Sequence, residues 1–252
     1  HLSVTLPLGT PRVLLTMVAE NGVEAGETAA VAPFIDIYMC RHGTTTWNLA
    51  KKWQGETDTD LADVGIEQAR ATAELLAARL QSVSRIFTSD LKRARATAEI
   101  YGERFGCEVA VDRGLREPSL GRFEGMTKDA IYSEYADLFS RLAALGQEER
   151  LRTAYFEGLE TPLETSERAE AVARRAAEDV SKDGTPPPPG TAILLVTHSK
   201  VLEALLAVVF GKFYEGVETT PCAFFQWRYS LDGKHELGEL QNIEFHDCLV
   251  EQ

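Results

Sequence analysis

A chain of 252 residues, 44% of them hydrophobic, can bury one substantial core, and its length does not demand a second domain. A formal net charge of -13 repels nucleic acid and anionic membrane surfaces alike, so neither is expected as a partner, and an anionic small substrate needs a local cationic pocket. The four cysteines, Cys40, Cys107, Cys222 and Cys248, lack Cys-x-x-Cys spacing, which argues against a disulfide framework or zinc site and for a reducing, cytoplasmic setting.

Residues 1–33 carry Pro7, Gly9, Pro11, Gly22 and Gly26 around two short apolar runs and read as a peripheral flexible lead or an added hairpin. They show no basic segment followed by an apolar stretch and a small-residue cleavage site, so no secretory signal is expected. The apolar run 201–210 is interrupted by Glu203 and is too short to span a bilayer. From Phe34 onward, short apolar runs alternate with amphipathic stretches, the pattern of an α/β fold. Segments 35–40, 85–88 and 193–197 are apolar enough to be strands buried on both faces. Segments 63–80, 90–104 and 199–210 carry helical spacing, with Asp63 and Asp90 as candidate N-caps. Thr161-Pro162-Leu163-Glu164 reads as a capping box with proline at the first helical position, opening a helix over 162–181. The stretch 183–190, with four consecutive prolines, is a surface connector. Residues 223–229 are strand-like, 231–234 hold a hairpin signal, and 236–245 return antiparallel.

Three of these strands end in unusual chemistry. The first runs into Arg41-His42-Gly43, the second into Ser89-Asp90-Leu91-Lys92-Arg93, and the third into His198-Ser199. In an open α/β sheet, ligands bind beyond the carboxyl ends of parallel strands, where helix N-termini point their amides outward. Lys92 and Arg93 in a first helical turn oppose the helix dipole, and a bound phosphate would compensate them. Two imidazoles, two guanidiniums and a carboxylate are the parts required for nucleophilic phosphoryl transfer.

The run Arg41-His42-Gly43-Thr44-Thr45-Thr46-Trp47-Asn48 resembles the signature of the histidine phosphatase, or phosphoglycerate mutase-like, superfamily. Further pieces follow in the order expected of that family: Trp53-Gln54-Gly55, 61–65, Ser89-Asp90-Leu91-Lys92-Arg93-Ala94 with Thr97-Ala98, Leu115-Arg116-Glu117, 120–127 and Val196-Thr197-His198. The resemblance spans 34–230 and implies a three-layer α/β/α sandwich with a mostly parallel central sheet. It divides the chain into the lead at 1–33 and a catalytic domain at 34–252, with a cap at about 126–160. It implies that Arg41, His42, Arg93 and His198 form a phosphate pocket, with His42 as nucleophile and Glu117 as proton donor. Thr45, Asn48, Gln54 and Gly55 would line the mouth, and Ser199 would offer mainly a backbone amide. No metal or cofactor is implied, and His1, His235 and His246 are too scattered for a ligand set. A homodimer is compatible with the resemblance.

Thr44, Asp60 and Ser199-Lys200 depart from the usual family residues, and Lys200 and Glu203 stand where they could alter substrate choice. Glu164-Thr165 only loosely resembles the family's Gly-Glu-Ser element. The sequence after Glu117 lacks the Tyr-Gly and Arg-Arg elements of the glycolytic mutases. It resembles the phosphatase branches, so hydrolysis of a small phosphomonoester is expected, with mutase-type transfer or a non-catalytic phosphate-binding adaptor as alternatives. Ile131, Tyr135, Leu138, Phe139 and Leu142 form a helical stripe read as cap core. Lys51, Lys52, Arg116, Arg122 and Lys200 are candidates for reading the leaving group.

Overall fold

The strands form because their side chains alternate between two buried faces. In β1 (Phe34–Arg41), Ile35, Ile37 and Met39 enter one apolar cluster while Tyr38 and Cys40 enter the other. β4 (Thr191–Thr197) does the same with Ile193 and Leu195 against Ala192, Leu194 and Val196. A strand covered on both sides needs apolar residues at consecutive positions, which is why these segments read as unbroken runs. The computed structural model describes residues 34–181, 185, 187–212 and 216–246. The lead at 1–33, Cys248 and part of the proline-rich connector therefore lie outside the described residues.

Within that range β1 and β4 join β2 (Ser82–Thr88), β3 (Val109–Val111), β5 (Gly216–Ser230) and β6 (His235–His246) in a sheet of order β3-β2-β4-β1-β5-β6. The first four run parallel, and β5 and β6 are antiparallel. Helices α2 (Asp63–Ala77) and α3 (Lys92–Phe105) cover one face through Ala69, Ala73, Leu76, Ala94, Ala98 and Tyr101. Helices α7 (Pro162–Val180) and α8 (Ser199–Val208) cover the other through residues including Val172, Ala176, Leu202 and Leu205. The result is the expected three-layer α/β/α sandwich.

The ends of the helices correct two expectations. Ala62 and Leu91 occupy the N-cap positions of α2 and α3, and neither makes a side-chain cap. Asp63 is instead the first helical residue, where its charge favours the dipole. Asp58 accepts from the Lys92 amide at 2.8 Å, and Asp90 is held by Arg113 and Arg116. The capping box at Thr161 does form, with Thr161 and Glu164 exchanging hydrogen bonds and Pro162 at the first turn. β5 begins seven residues before the expected 223, and the short edge strand β3 was not anticipated.

The cap consists of α4 (Lys128–Glu134), α5 (Ala136–Ala143) and α6 (Gln147–Leu151), broken at Tyr135 and after Ala143 rather than continuous. Ile131, Tyr135, Leu138 and Phe139 pack with Trp53, Phe123, Tyr155 and Phe156 in a separate apolar cluster. Trp53 sits edge-on to Phe123 at 5.4 Å and to Phe139 at 6.4 Å, tying the loop at 51–57 to the cap. No helix among the described residues is long and apolar enough to cross a membrane.

Candidate active site

Sheet register assembles the site. β1 pairs with β4 so that Arg41 faces Thr197, and β2 pairs with β4 so that Thr88 faces Val196. The next residues along, His42, His198 and Ser89, therefore emerge side by side. The ladder extends one step into them: the His42 amide donates to Thr197 O at 3.0 Å and the Ser89 amide to Val196 O at 3.2 Å. The two imidazoles stand edge to face, with ring centroids 5.2 Å apart. Two glycines make the close packing behind them feasible. A Cβ on Gly43 would lie 2.4 Å from Gly65 O, and one on Gly65 would lie 2.1 Å from Thr44 O.

His42 is buried, and its Nδ1 lies 2.7 Å from the Gly43 carbonyl. A carbonyl can only accept, so Nδ1 carries the proton and Nε2 keeps its lone pair. Burial first, then the nearby Arg93 and Arg41 charges, hold the His42 pKa well below its ordinary value, which keeps the ring neutral. His198 Nε2 lies 2.8 Å from Ser89 Oγ, and burial together with Arg93 also depresses its pKa.

Arg93 reaches back from the first turn of α3 to the carbonyls of Thr57, at 2.9 Å, and Gly55, at 2.7 Å. Arg41 is anchored on the Thr219 carbonyl of β5. Burial pulls the Arg93 pKa down to about 10 and lowers that of Arg41, with Glu117 opposing both shifts. Arg93 remains cationic at neutral pH. Arg41 Nε, Arg93 Nε and His198 Nδ1 are buried without a hydrogen-bond partner among the described residues. Buried donors are seldom left unmade, and the two unpartnered guanidinium Nε atoms, both cationic, mark a place suited to an anion.

Glu117 is 7% exposed and accepts from the Lys200 amide at the start of α8, at 3.2 Å. Burial pushes its pKa up to about 7, against the lowering influence of Arg93, and Glu203 adds to the rise. Glu124 has a different place. It accepts from the Thr57 hydroxyl and from the amides of Glu56, Thr57 and Leu120, the amides at 3.0–3.1 Å, and these bonds, the hydroxyl's foremost, hold its pKa down despite burial. It is thus a clasp for the loop whose carbonyls hold Arg93.

Of the remaining residues singled out, Thr45 caps α1 (Thr46–Leu49) in a reciprocal box with Asn48. Its hydroxyl also lies 3.0 Å from Gln54 Oε1, which accepts from Thr59 at 2.5 Å. The structure thus shows Thr45, Asn48 and Gln54 knitting the loop together, and Gly55 presenting a carbonyl to Arg93. Ser199 is the first residue of α8 after His198. Arg116 is drawn to Glu56 and Asp90, and Arg122 stacks over Phe156 at 4.4 Å.

Sequence reading missed Glu160. It grips Arg168 through both oxygens, at 2.6 and 2.8 Å, and accepts from Thr165, while Arg168 also donates to Gly114 O. Glu164, the residue first set against the Gly-Glu-Ser element, is committed to its capping box. Glu160 lies outside α7, just before its N-cap Thr161, and reaches Arg168 in the second turn of the helix, a contact that no helical spacing in the sequence signals. A cavity of about 250 Å³ opens beside Glu117, walled by Tyr132, Phe139 and Tyr155 from the cap side and by Lys200, Glu203 and Ala204 from α8.

The sequence model of the histidine phosphatase superfamily (branch 1) matches residues 37–234. The chain belongs to the histidine phosphatase superfamily. A glucosyl-3-phosphoglycerate phosphatase of Mycolicibacterium vanbaalenii is 36% identical over 180 residues, 69% of this chain and 74% of that protein. A probable phosphoglycerate mutase of Photorhabdus laumondii is 33% identical over 180 residues, 70% of this chain and 75% of that protein. The solved structure of a mycobacterial glucosyl-3-phosphoglycerate phosphatase with VO3 superposes with a TM-score of 0.69 at 29% identity, covering 81% of this chain and 98% of that one. The chain thus has relatives named as phosphatases and relatives named as probable mutases. Among the described residues no group of three His, Cys, Asp or Glu side chains is placed to hold a metal ion.

Proposed function

We propose that the chain hydrolyses a small phosphomonoester through a phosphohistidine on His42. The observation that carries this reading is a neutral, Nδ1-protonated His42 beside the buried, unpartnered Nε donors of Arg41 and Arg93 and the buried, unpartnered Nδ1 of His198. In the first step His42 Nε2 attacks phosphorus in line and the ester oxygen leaves. Arg41, Arg93 and His198 face the equatorial oxygens, and an arriving dianion raises the His198 pKa from its depressed value. Glu117, carrying a proton at and below neutral pH, delivers it to the departing alkoxide. In the second step water attacks the phosphohistidine, its proton passing to the Glu117 carboxylate, and phosphate leaves with His42 restored.

Thr45, Asn48, Gln54, Gly55 and Ser199 act by shaping and holding the pocket mouth. The partner is a small anionic phosphorylated molecule rather than nucleic acid or membrane, the setting is cytoplasmic, and a homodimer fits the same reading. The test is a phosphomonoester panel in EDTA that includes glucosyl-3-phosphoglycerate and 3-phosphoglycerate. Release of phosphate that vanadate inhibits and His42→Ala abolishes is expected. Formation of 2-phosphoglycerate faster than free phosphate, given a trace of bisphosphoglycerate, would assign mutase-type transfer instead. No turnover of any ester would favour the adaptor.

A further inference from the structure

The cavity beside Glu117 contains an ion pair that the chemistry above does not use. Lys200 lies in the first turn of α8, where a cation opposes the helix dipole, and its Nζ is 2.6 Å from Glu203 Oε2 one turn on. The ammonium is also braced over the Trp53 ring at 5.7 Å. Both side chains are about a quarter to a third exposed and both line the cavity. The Lys200 backbone amide holds Glu117, so the pair sits directly beside the proton donor.

We propose that Glu203 is a specificity-determining residue: by occupying Lys200 it selects for esters whose leaving alcohol is uncharged and against those whose leaving alcohol bears a carboxylate. A carboxylate entering the cavity meets Lys200 already neutralised and faces Glu203 and, once ionised, Glu117. Glu160, on the same wall, is taken up by Arg168. Tyr132, Phe139, Leu142 and Ala204 add apolar and aromatic surface to the wall, interrupted by Ser119, Thr153 and Thr165. An uncharged alcohol gives up only the modest hydration of its hydroxyls against such a surface, whereas an unpaired carboxylate carries the far larger desolvation cost of a charge. Arg150 and Lys212 also line the cavity, so the test must separate Lys200 from them.

This inference rests on the proposed phosphatase reading. Two nearly isosteric esters distinguish the claims: glycerol 3-phosphate, which leaves as glycerol, and 3-phosphoglycerate, which leaves as glycerate. Their relative kcat/KM is measured in the wild type, in Glu203→Gln, and in Lys200→Met/Glu203→Gln. The same ratio is read as Kd by calorimetry on the His42→Ala background, which does not depend on turnover. The wild type is expected to favour glycerol 3-phosphate. Glu203→Gln frees the ammonium without changing side-chain size and shifts the ratio toward 3-phosphoglycerate by at least about tenfold, the lower end of a charge-assisted hydrogen bond. Adding Lys200→Met removes the shift. An unchanged ratio in Glu203→Gln, a shift that survives in the double variant, or binding of neither ester overturns the inference. Failure of the wild type to turn over any ester, with the binding ratio behaving as expected, removes only the phosphatase reading.

Discussion

Glu117→Gln separates the two consequences of burying a carboxylic acid beside the proposed phosphate pocket. Glu117 has an ordinary pKa of 4.5 when unfolded and about 7 in the fold, burial being the main cause. Because the folded value is raised, the fold incurs no penalty below pH 4.5, a growing one as pH rises toward 7, and the full one above it. The gap, at ~1.36 kcal/mol per pH unit, makes that penalty roughly 3 kcal/mol at pH 8. Glutamine keeps the shape and can still accept from the Lys200 amide, but it never ionises. Urea unfolding at pH 8 is therefore expected to show Glu117→Gln more stable than wild type by a few kcal/mol, with the advantage vanishing near pH 4. Turnover should move the other way, with kcat for an alkyl phosphate falling on the order of 10²–10⁴-fold. With p-nitrophenyl phosphate, whose phenolate departs without a proton, the first step should be spared and the phosphoenzyme should accumulate as a burst. A variant equally stable at both pH values, or one whose first step with p-nitrophenyl phosphate is slowed as much as with an alkyl ester so that no burst appears, would refute the assignment of Glu117 as a buried acid.

Other expectations follow from the same geometry. In the wild type, kcat/KM for alkyl phosphates should decline as pH rises through about 7, because the proton-donating form of Glu117 is lost while the depressed pKa of His42 keeps it neutral throughout; a pH profile in EDTA reads this. Glu124→Ala removes the clasp on Glu56, Thr57 and Leu120 and loosens the carbonyls that hold Arg93. Inorganic phosphate binding by calorimetry should weaken by roughly tenfold or more, the scale of one lost charge-assisted hydrogen bond. Gly43→Ala forces a methyl against Gly65 O and should cost about 1–3 kcal/mol in thermal or urea unfolding, with activity falling as His42 shifts.

The parts of this architecture that could be read from the chain are those governed by local periodicity. β1 and β4 are buried on both faces, so their apolar runs announced them, and Thr161 with Glu164 satisfies a cap within four residues. The edge strand β3 is half exposed at Val111 and only three residues long, too little for a pattern. Asp90 was misread as a cap because its partners, Arg113 and Arg116, are distant in sequence and compete for the carboxylate that a helix amide would otherwise take. The strand-end argument brought His42, His198, Arg41 and Arg93 to one edge before any coordinates. The sequence could not show that Thr45, Asn48 and Gln54 engage one another, or that Glu203 holds Lys200. Those facts depend on how loops fold back over the sheet.

The central claim is that two imidazoles and two guanidiniums address a single phosphorus atom. A crystal structure with orthovanadate tests it most directly. The account predicts vanadium bonded to His42 Nε2, with its oxygens contacted by Arg41, Arg93 and His198 and with Glu117 near the apical oxygen opposite His42. Vanadate bound elsewhere, or bound here with His42 Nε2 turned away from the metal, would contradict it.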